Sequence, residues 1–180
     1  MLVVAQAKGK ERTMETIPTL EDLITNHRFL TGLSGEFQKF LQDCATVRRF
    51  GSQQQVFQEG GEADHFYLIV NGRVCLETAA SDGRQLIIHK LESGDALGWS
   101  WLFPPHEWCF TAVTAAPTEV LSFAAEPLRQ KAAEDAFFSK ELLTRTGRML
   151  VERLQATRHE LLRLYRRQRE EELERQQLDV

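Results

Sequence analysis

The three tryptophans of this chain, Trp99, Trp101 and Trp108, fall within ten positions of one another, with Phe103 and Phe110 beside them and Pro104-Pro105 between. Rings gathered this way can line a pocket for a flat or apolar ligand, because stacking adds to what area burial supplies. They can equally fill a pocket and serve as core. Gly98, Trp99, Ser100, Trp101, Trp108, Cys109 and Phe110 are the candidate ligand-binding residues. Other chemistry in the segment is thinner. His106-x-x-Cys109 has metal-like spacing but no further ligand pair for a tetrahedral site, so neither a metal nor another cofactor is expected. Ser100 in Gly98-Trp99-Ser100-Trp101-Leu102 lacks the second glycine and the strand–turn–helix setting of a nucleophile elbow. No base or oxyanion donor accompanies it, and Glu59 and Glu62 read as solvated turn acids. An enzyme is not expected.

Three kinds of element must position these residues. The first is a short helical region: Pro18-Thr19-Leu20-Glu21-Asp22 begins one helix, and Ser34, a good N-cap, begins another whose Phe37, Phe40 and Leu41 share a face. The second is strand-rich. Turn signals fall at Gly60-Gly61, Asn71-Gly72, Asp82-Gly83 and Ser93-Gly94, and their second glycines are spaced 11 residues apart. Between them lie Phe66–Val70, Arg73–Leu76 and Gln85–His89, and Thr111–Phe123 continues the pattern around Pro117. Short strands at this spacing predict an antiparallel sandwich or roll. Asn71-Gly72 and Asp82-Gly83 read as two-residue hairpin turns, since both central residues tolerate positive φ.

The third element is one long helix from near Pro127 to the C-terminus. In it Leu143, Gly147, Leu150, Leu154, Thr157, Leu161 and Leu164 alternate steps of four and three, the spacing of a coiled-coil seam. Residues 140–175 alone would span about 54 Å, more than one small roll can cover. The simplest partner is a second copy of the chain, in a homodimer with Leu143, Gly147, Leu150, Leu154, Leu161 and Leu164 at the interface.

Composition bounds the partners. The 180 residues are 42% hydrophobic and 27% charged, an ordinary globular mixture with a formal net charge of −4. Residues 128–180 hold twelve basic and ten acidic side chains, and the basic run Arg163–Arg169 is followed at once by Glu170, Glu171, Glu172 and Glu174. Phosphate contacts need concentrated positive charge, so no nucleic-acid partner is expected. Cys44, Cys75 and Cys109 are odd in number and widely spaced, which suggests a reducing compartment. No stretch has the apolar length to span a bilayer, so the cytoplasm is expected and a membrane partner is not. The expected organisation is a loose leader over 1–17, a roll with its N-terminal helices over 18–126 and the long helix over 127–180.

The stretch Phe57-Gln58-Glu59-Gly60-Gly61-Glu62 through Phe66-Tyr67-Leu68-Ile69-Val70-Asn71-Gly72-Arg73-Val74 resembles the front half of a cyclic nucleotide-binding domain, the β-roll of the catabolite activator family. Phe29–Ser34 matches that family's N-terminal helical segment, and Gly94-Asp95-Ala96-Leu97-Gly98 the entry to its phosphate cassette. The resemblance covers about residues 25–165. It implies a mainly β, α+β fold: an antiparallel, jelly-roll-like β-roll with short N-terminal helices and a long dimerising C-terminal helix. The implied function is non-enzymatic, ligand-sensing regulation.

The cassette departs from the family pattern. Trp99 stands where the family places the Glu that accepts the ribose hydroxyl, and Trp108 stands nearest the Arg that neutralises the cyclic phosphate. Residues 91–128 contain no Lys or Arg at all, which leaves Arg73, Arg84 and Arg148 as cations that could reach in. Cyclic AMP and cyclic GMP are therefore not expected to bind in the usual way. Two readings stand open: a sensor of some other small molecule acting on a protein partner, or a ligand-free interaction dimer whose pocket is filled by its own side chains. The family usually adds a winged helix-turn-helix after the long helix, and 180 residues leave that reader out of the expected architecture.

Overall fold

Polar caps fix where the first helices begin. The computed structural model describes residues 18–178, so the expected leader lies outside the described residues. Thr19 and Asp22 form a reciprocal capping box at the start of α1 (Leu20–Asn26), each bonding the other's backbone amide. A 3₁₀ turn (Arg28–Leu30) follows, and Ser34 Oγ accepts from the Phe37 amide at the start of α2 (Gly35–Cys44).

Eight strands then build two four-stranded antiparallel sheets: β1 (Ala45–Phe50), β2 (Gln55–Phe57), β3 (His65–Asn71), β4 (Arg73–Ala79), β5 (Gln85–Glu92), β6 (Ala96–Leu97), β7 (Thr111–Thr114) and β8 (Thr118–Ala124). One sheet has the order β1-β8-β3-β6 and the other β2-β7-β4-β5. This is the jelly-roll-like roll. The Asp82-Gly83 turn is a hairpin, closed by the Ala80 amide on the Arg84 carbonyl at 2.8 Å, and β4 pairs with β5. Asn71-Gly72 is not: β3 and β4 lie in different sheets, and the turn carries the chain across the roll. Gly72 has φ +107°, and a Cβ there would stand 2.4 Å from Thr118 Oγ1 and 2.6 Å from the Pro117 carbonyl oxygen. The glycine answers a close approach of two loops, a need indistinguishable in sequence from that of a hairpin.

Strand β3 buries four successive residues, Phe66 to Ile69, because both of its faces are covered. Tyr67 lies among rings inside the roll, near Phe57 and Trp108. Phe66 meets an outer helical layer, with Phe29 at 5.3 Å and Trp101 at 5.9 Å between ring centres. Phe37 and Phe138 pack edge to face at 5.2 Å in the same layer.

The C-terminal helical region is broken, against the expectation of one helix from Pro127. Helix α3 (Ala125–Glu134) ends at Asp135, and α4 runs Ala136–Leu178. Asp135 causes the break: its Oδ1 accepts from the amides of Phe137 and Phe138, both at 3.0 Å, which caps a new helix. The 43 residues of α4 reach about 64 Å. Leu142 and Thr146 are buried, whereas the side chains of residues 154–173 are all exposed. No helix among the described residues is long and apolar enough to cross a membrane.

Candidate functional site

The cassette starts at Gly98, whose left-handed backbone (φ +83°) lets the chain leave β6 and enter a second 3₁₀ turn, Trp99–Leu102. It ends where residues 106–108 are zipped to the Gly60–Ala63 turn. The amides of Gly60 and Ala63 donate to the carbonyls of Trp108 (2.9 Å) and His106 (2.7 Å), and the Trp108 amide donates to the Gly61 carbonyl (2.8 Å). This zipper aims the Trp108 ring inward. It stacks on Phe57 with centres 3.9 Å apart and planes 12° from parallel, and Tyr67 lies 6.5 Å away. A Cβ on Gly98 would come within 2.8 Å of Trp108 Cζ3, so glycine is required by the ring as well as by the turn. Trp108 is 4% exposed.

Six of the seven candidate residues meet here. Gly98, Trp99, Ser100, Trp108, Cys109 and Phe110 surround one cavity together with Phe57, Leu76 and Arg153, and its volume is about 10 Å³. That is the room of a single water at most. Trp101 is elsewhere: it is 1% exposed, lies against Phe66, and its carbonyl accepts from Arg129 Nη1 at 3.4 Å. Trp99 is half-buried and packs edge to face on Phe103 at 6.2 Å. Ser100 Oγ accepts from the Cys109 amide (3.4 Å) and lies 3.5 Å from Cys109 Sγ. Among the described residues no histidine or carboxylate bonds that hydroxyl, so it has no base to activate it. No three metal-ligating side chains cluster among the described residues.

The cations named in the sequence do not reach this cavity. Arg84 pairs with Asp82 at the hairpin (2.7 Å), Arg73 lines a separate groove on the β2-β7-β4-β5 sheet, and Arg148 faces a larger cleft. Arg153 of α4 arrives instead, 57 residues after Ala96, to whose carbonyl oxygen it donates. Burial pulls its guanidinium down to about 10, while Asp95 opposes that shift; it stays charged at neutral pH. Nothing near Arg153 in sequence marks this role, because the contact is made only once the helix lies along the roll.

The larger cleft lies between α4 and the roll, with a volume of about 470 Å³, and its wall carries Arg28, Arg145, Arg148 and Arg153. Arg145 Nη1 donates to the carbonyls of Phe29 (2.8 Å) and Thr31 (2.9 Å), and Arg28 pairs with Asp95. His89 also borders the cleft, held below its ordinary value chiefly by burial and then by the Arg153 charge.

On α4 the expected seam residues are mostly solvent-facing: Leu154 and Leu161 are each 66% exposed, Leu143 and Leu164 are exposed, and Leu150 is partly buried. At about 100° per residue they point away from Arg145, Arg148, Met149, Glu152 and Ala156, which face the cleft. The basic run is ion-paired along the helix, with Arg163–Glu160 at 2.6 Å and Arg167–Glu171 at 2.9 Å.

Comparison with known proteins agrees with this geometry. The chain is 30% identical over 106 residues to a "CRP-like cAMP-activated global transcriptional regulator" of Mycobacterium tuberculosis, a match covering 59% of this chain and 46% of the relative. The chain thus spans about half the length of the curated relatives it matches. That relative's description as a transcriptional regulator runs against the expectation of no nucleic-acid partner. Among solved structures, a cyclic nucleotide-binding domain from Methylobacillus flagellatus KT aligns with TM-score 0.67 at 18% identity, over 79% of this chain and 80% of that one. The N-terminal domain of a transcriptional regulator from Streptomyces coelicolor A3(2) aligns with TM-score 0.60 at 20% identity, over 75% and 94%. Residues 47–135, just under half of the chain, match the cyclic nucleotide-binding domain family.

Proposed function

We propose that this chain is a non-enzymatic regulatory module of the cyclic nucleotide-binding type whose cassette is filled by its own Trp108, so that it takes neither cyclic AMP nor cyclic GMP. The observation that carries this reading is the cavity of about 10 Å³ left beside Gly98 once Trp108 has stacked on Phe57. A nucleotide needs a site of some hundreds of Å³. To admit one, the Trp108 ring would have to leave its stack and the zipper to the Gly60–Ala63 turn would have to open. Trp99 in place of a carboxylate removes the acceptor for a ribose hydroxyl as well. Of the two readings left open by the sequence, the filled pocket is the one this packing supports.

The module acts as a parallel two-fold homodimer through α4, in the cytoplasm, and transmits its state to a protein partner. The dimer is supported by the exposed leucines at four-three spacing, which a single chain leaves in water. The basic run Arg163–Arg169 is ion-paired along α4, with Arg163 on Glu160 and Arg167 on Glu171, which argues against that run as a face for nucleic acid.

Calorimetric titration with cyclic AMP and cyclic GMP tests the cassette reading directly. Neither nucleotide is expected to bind with a dissociation constant below about 10 μM, near −7 kcal/mol. Binding tighter than that overturns the filled pocket.

A further inference from the structure

We propose that the cleft between α4 and the roll is a binding site for a phosphorylated small molecule, with Arg148 as its principal unengaged ligand. The site shares only Arg153 with the lining of the cassette cavity, and the proposal goes beyond the reading of that cassette.

Size comes first. The cleft encloses about 470 Å³, within the range of roughly 300–1,000 Å³ of small-molecule sites. Charge comes second. Arg28, Arg145, Arg148 and Arg153 converge on it, against only Asp95 and Glu152 among its lining residues, so its wall is net cationic in a chain whose formal charge is −4. Guanidinium groups present paired donors that fit phosphoryl oxygens bidentately, and four of them around one cleft favour a multiply charged anion over a single carboxylate.

The engagement of the four is unequal. Arg28 is held by Asp95, Arg153 by the Ala96 carbonyl, and Arg145 by Glu141 at 3.2 Å and two carbonyls. Arg148 is exposed and donates to no acceptor among the described residues. Arg145 Nε is shut from water and has no acceptor, a donor left unsatisfied in the wall. Desolvation weighs on Arg153, and a second negative group beside it would relieve that weight as Asp95 already does in part. The cleft therefore combines rigid cations, fixed by backbone carbonyls, with one cation waiting for a partner. It borders the face of α4 opposite the leucine seam, so dimerisation leaves it open.

The experiment is a calorimetric titration of the full chain with pyrophosphate, inorganic phosphate and citrate at low salt, repeated with Arg148→Gln and Glu152→Gln. Pyrophosphate is expected to bind more tightly than inorganic phosphate. Arg148→Gln weakens it at least tenfold without changing the melting temperature of the free protein, since the side chain is exposed. Glu152→Gln tightens it a few-fold by removing an opposing charge, and this second variant keeps the test decisive if the first misfolds. Citrate binding as tightly as pyrophosphate overturns the phosphoryl assignment, and pyrophosphate affinity unchanged in both variants overturns the site. Cyclic AMP binding that both variants leave intact would refute the filled cassette alone, so the two ideas fail separately.

Discussion

Replacing Trp108 by alanine tests whether its ring is core. A tryptophan buries roughly 150–250 Å² on folding, and at about 25 cal/mol per Å² that is about 4–6 kcal/mol of transfer free energy. Alanine keeps a small part of it, and the neighbours relax only partly into the space. The stack on Phe57, 3.9 Å between centres and 12° from parallel, adds about 0.5–1.5 kcal/mol beyond area. Measured Trp→Ala changes in cores fall at about 3–5 kcal/mol, and the 4% exposure of Trp108 places it in that range. Trp99 is half-buried on a 3₁₀ turn, so Trp99→Ala is expected to cost under about 1.5 kcal/mol. The assay is urea unfolding of wild type and both variants. An apolar cavity left by the ring should also admit indole, which would restore stability to Trp108→Ala and leave the wild type unmoved. A loss under about 1 kcal/mol for Trp108→Ala, or the same loss for both variants, refutes the argument that Trp108 plugs the roll.

Three further outcomes are expected. Light scattering at micromolar concentration should give a dimer mass, and Leu154→Ala with Leu161→Ala should weaken association by at least about 4 kcal/mol, roughly a thousandfold; a monomeric wild type refutes the seam. Gly72→Ala should cost at least about 2 kcal/mol, because its φ of +107° and its contact with Thr118 leave no room, whereas Gly83→Ala, with open space at φ +81°, should cost about 1 kcal/mol; equal losses contradict the crossing-loop account. Stability should fall as pH drops below about 6.5: burial holds His27 and His89 under their ordinary value, so the unfolded chain takes up protons first, and His27→Gln should flatten the fall in melting temperature.

The fold was legible where local chemistry and tertiary structure agree. Thr19 and Ser34 cap helices because a hydroxyl before an apolar period does so in almost any context. The 11-residue glycine spacing reports strands, since each turn needs positive φ. The partners of those strands were less legible. Asn71-Gly72 and Asp82-Gly83 carry the same signal, and only the Thr118 loop packed on Gly72 decides that the first is a crossover. Strand β1 gives no alternation to read, because four of its six residues are exposed. Asp135 was hidden inside a periodic helical run, where a capping aspartate looks like any surface acid until its carboxylate is seen on Phe137 and Phe138.

The candidate site divides the same way. The cassette declared itself through what it lacks, and its rings were legible as a cluster because they are contiguous in sequence. Which ring enters the roll was not: Trp101 and Trp108 are both buried, yet one lies against Phe66 under the helical layer and the other against Phe57 inside the roll. That choice is made by the backbone zipper to Gly60–Ala63, a pairing between segments some 45 positions apart that no local pattern encodes. The arginine cleft is still further from local reading. Arg28 precedes the roll, and Arg145, Arg148 and Arg153 follow it on α4, each with nearby acids that make it look like ordinary surface charge. Helical periodicity does carry half of the information, since positions 145, 148, 149, 152 and 156 share one face and the leucine seam shares the other. It assigns two faces to α4 but not their occupants: the roll takes the first through Phe29, Thr31 and Ala96, and the second remains apolar and exposed, the feature on which the proposed dimer rests.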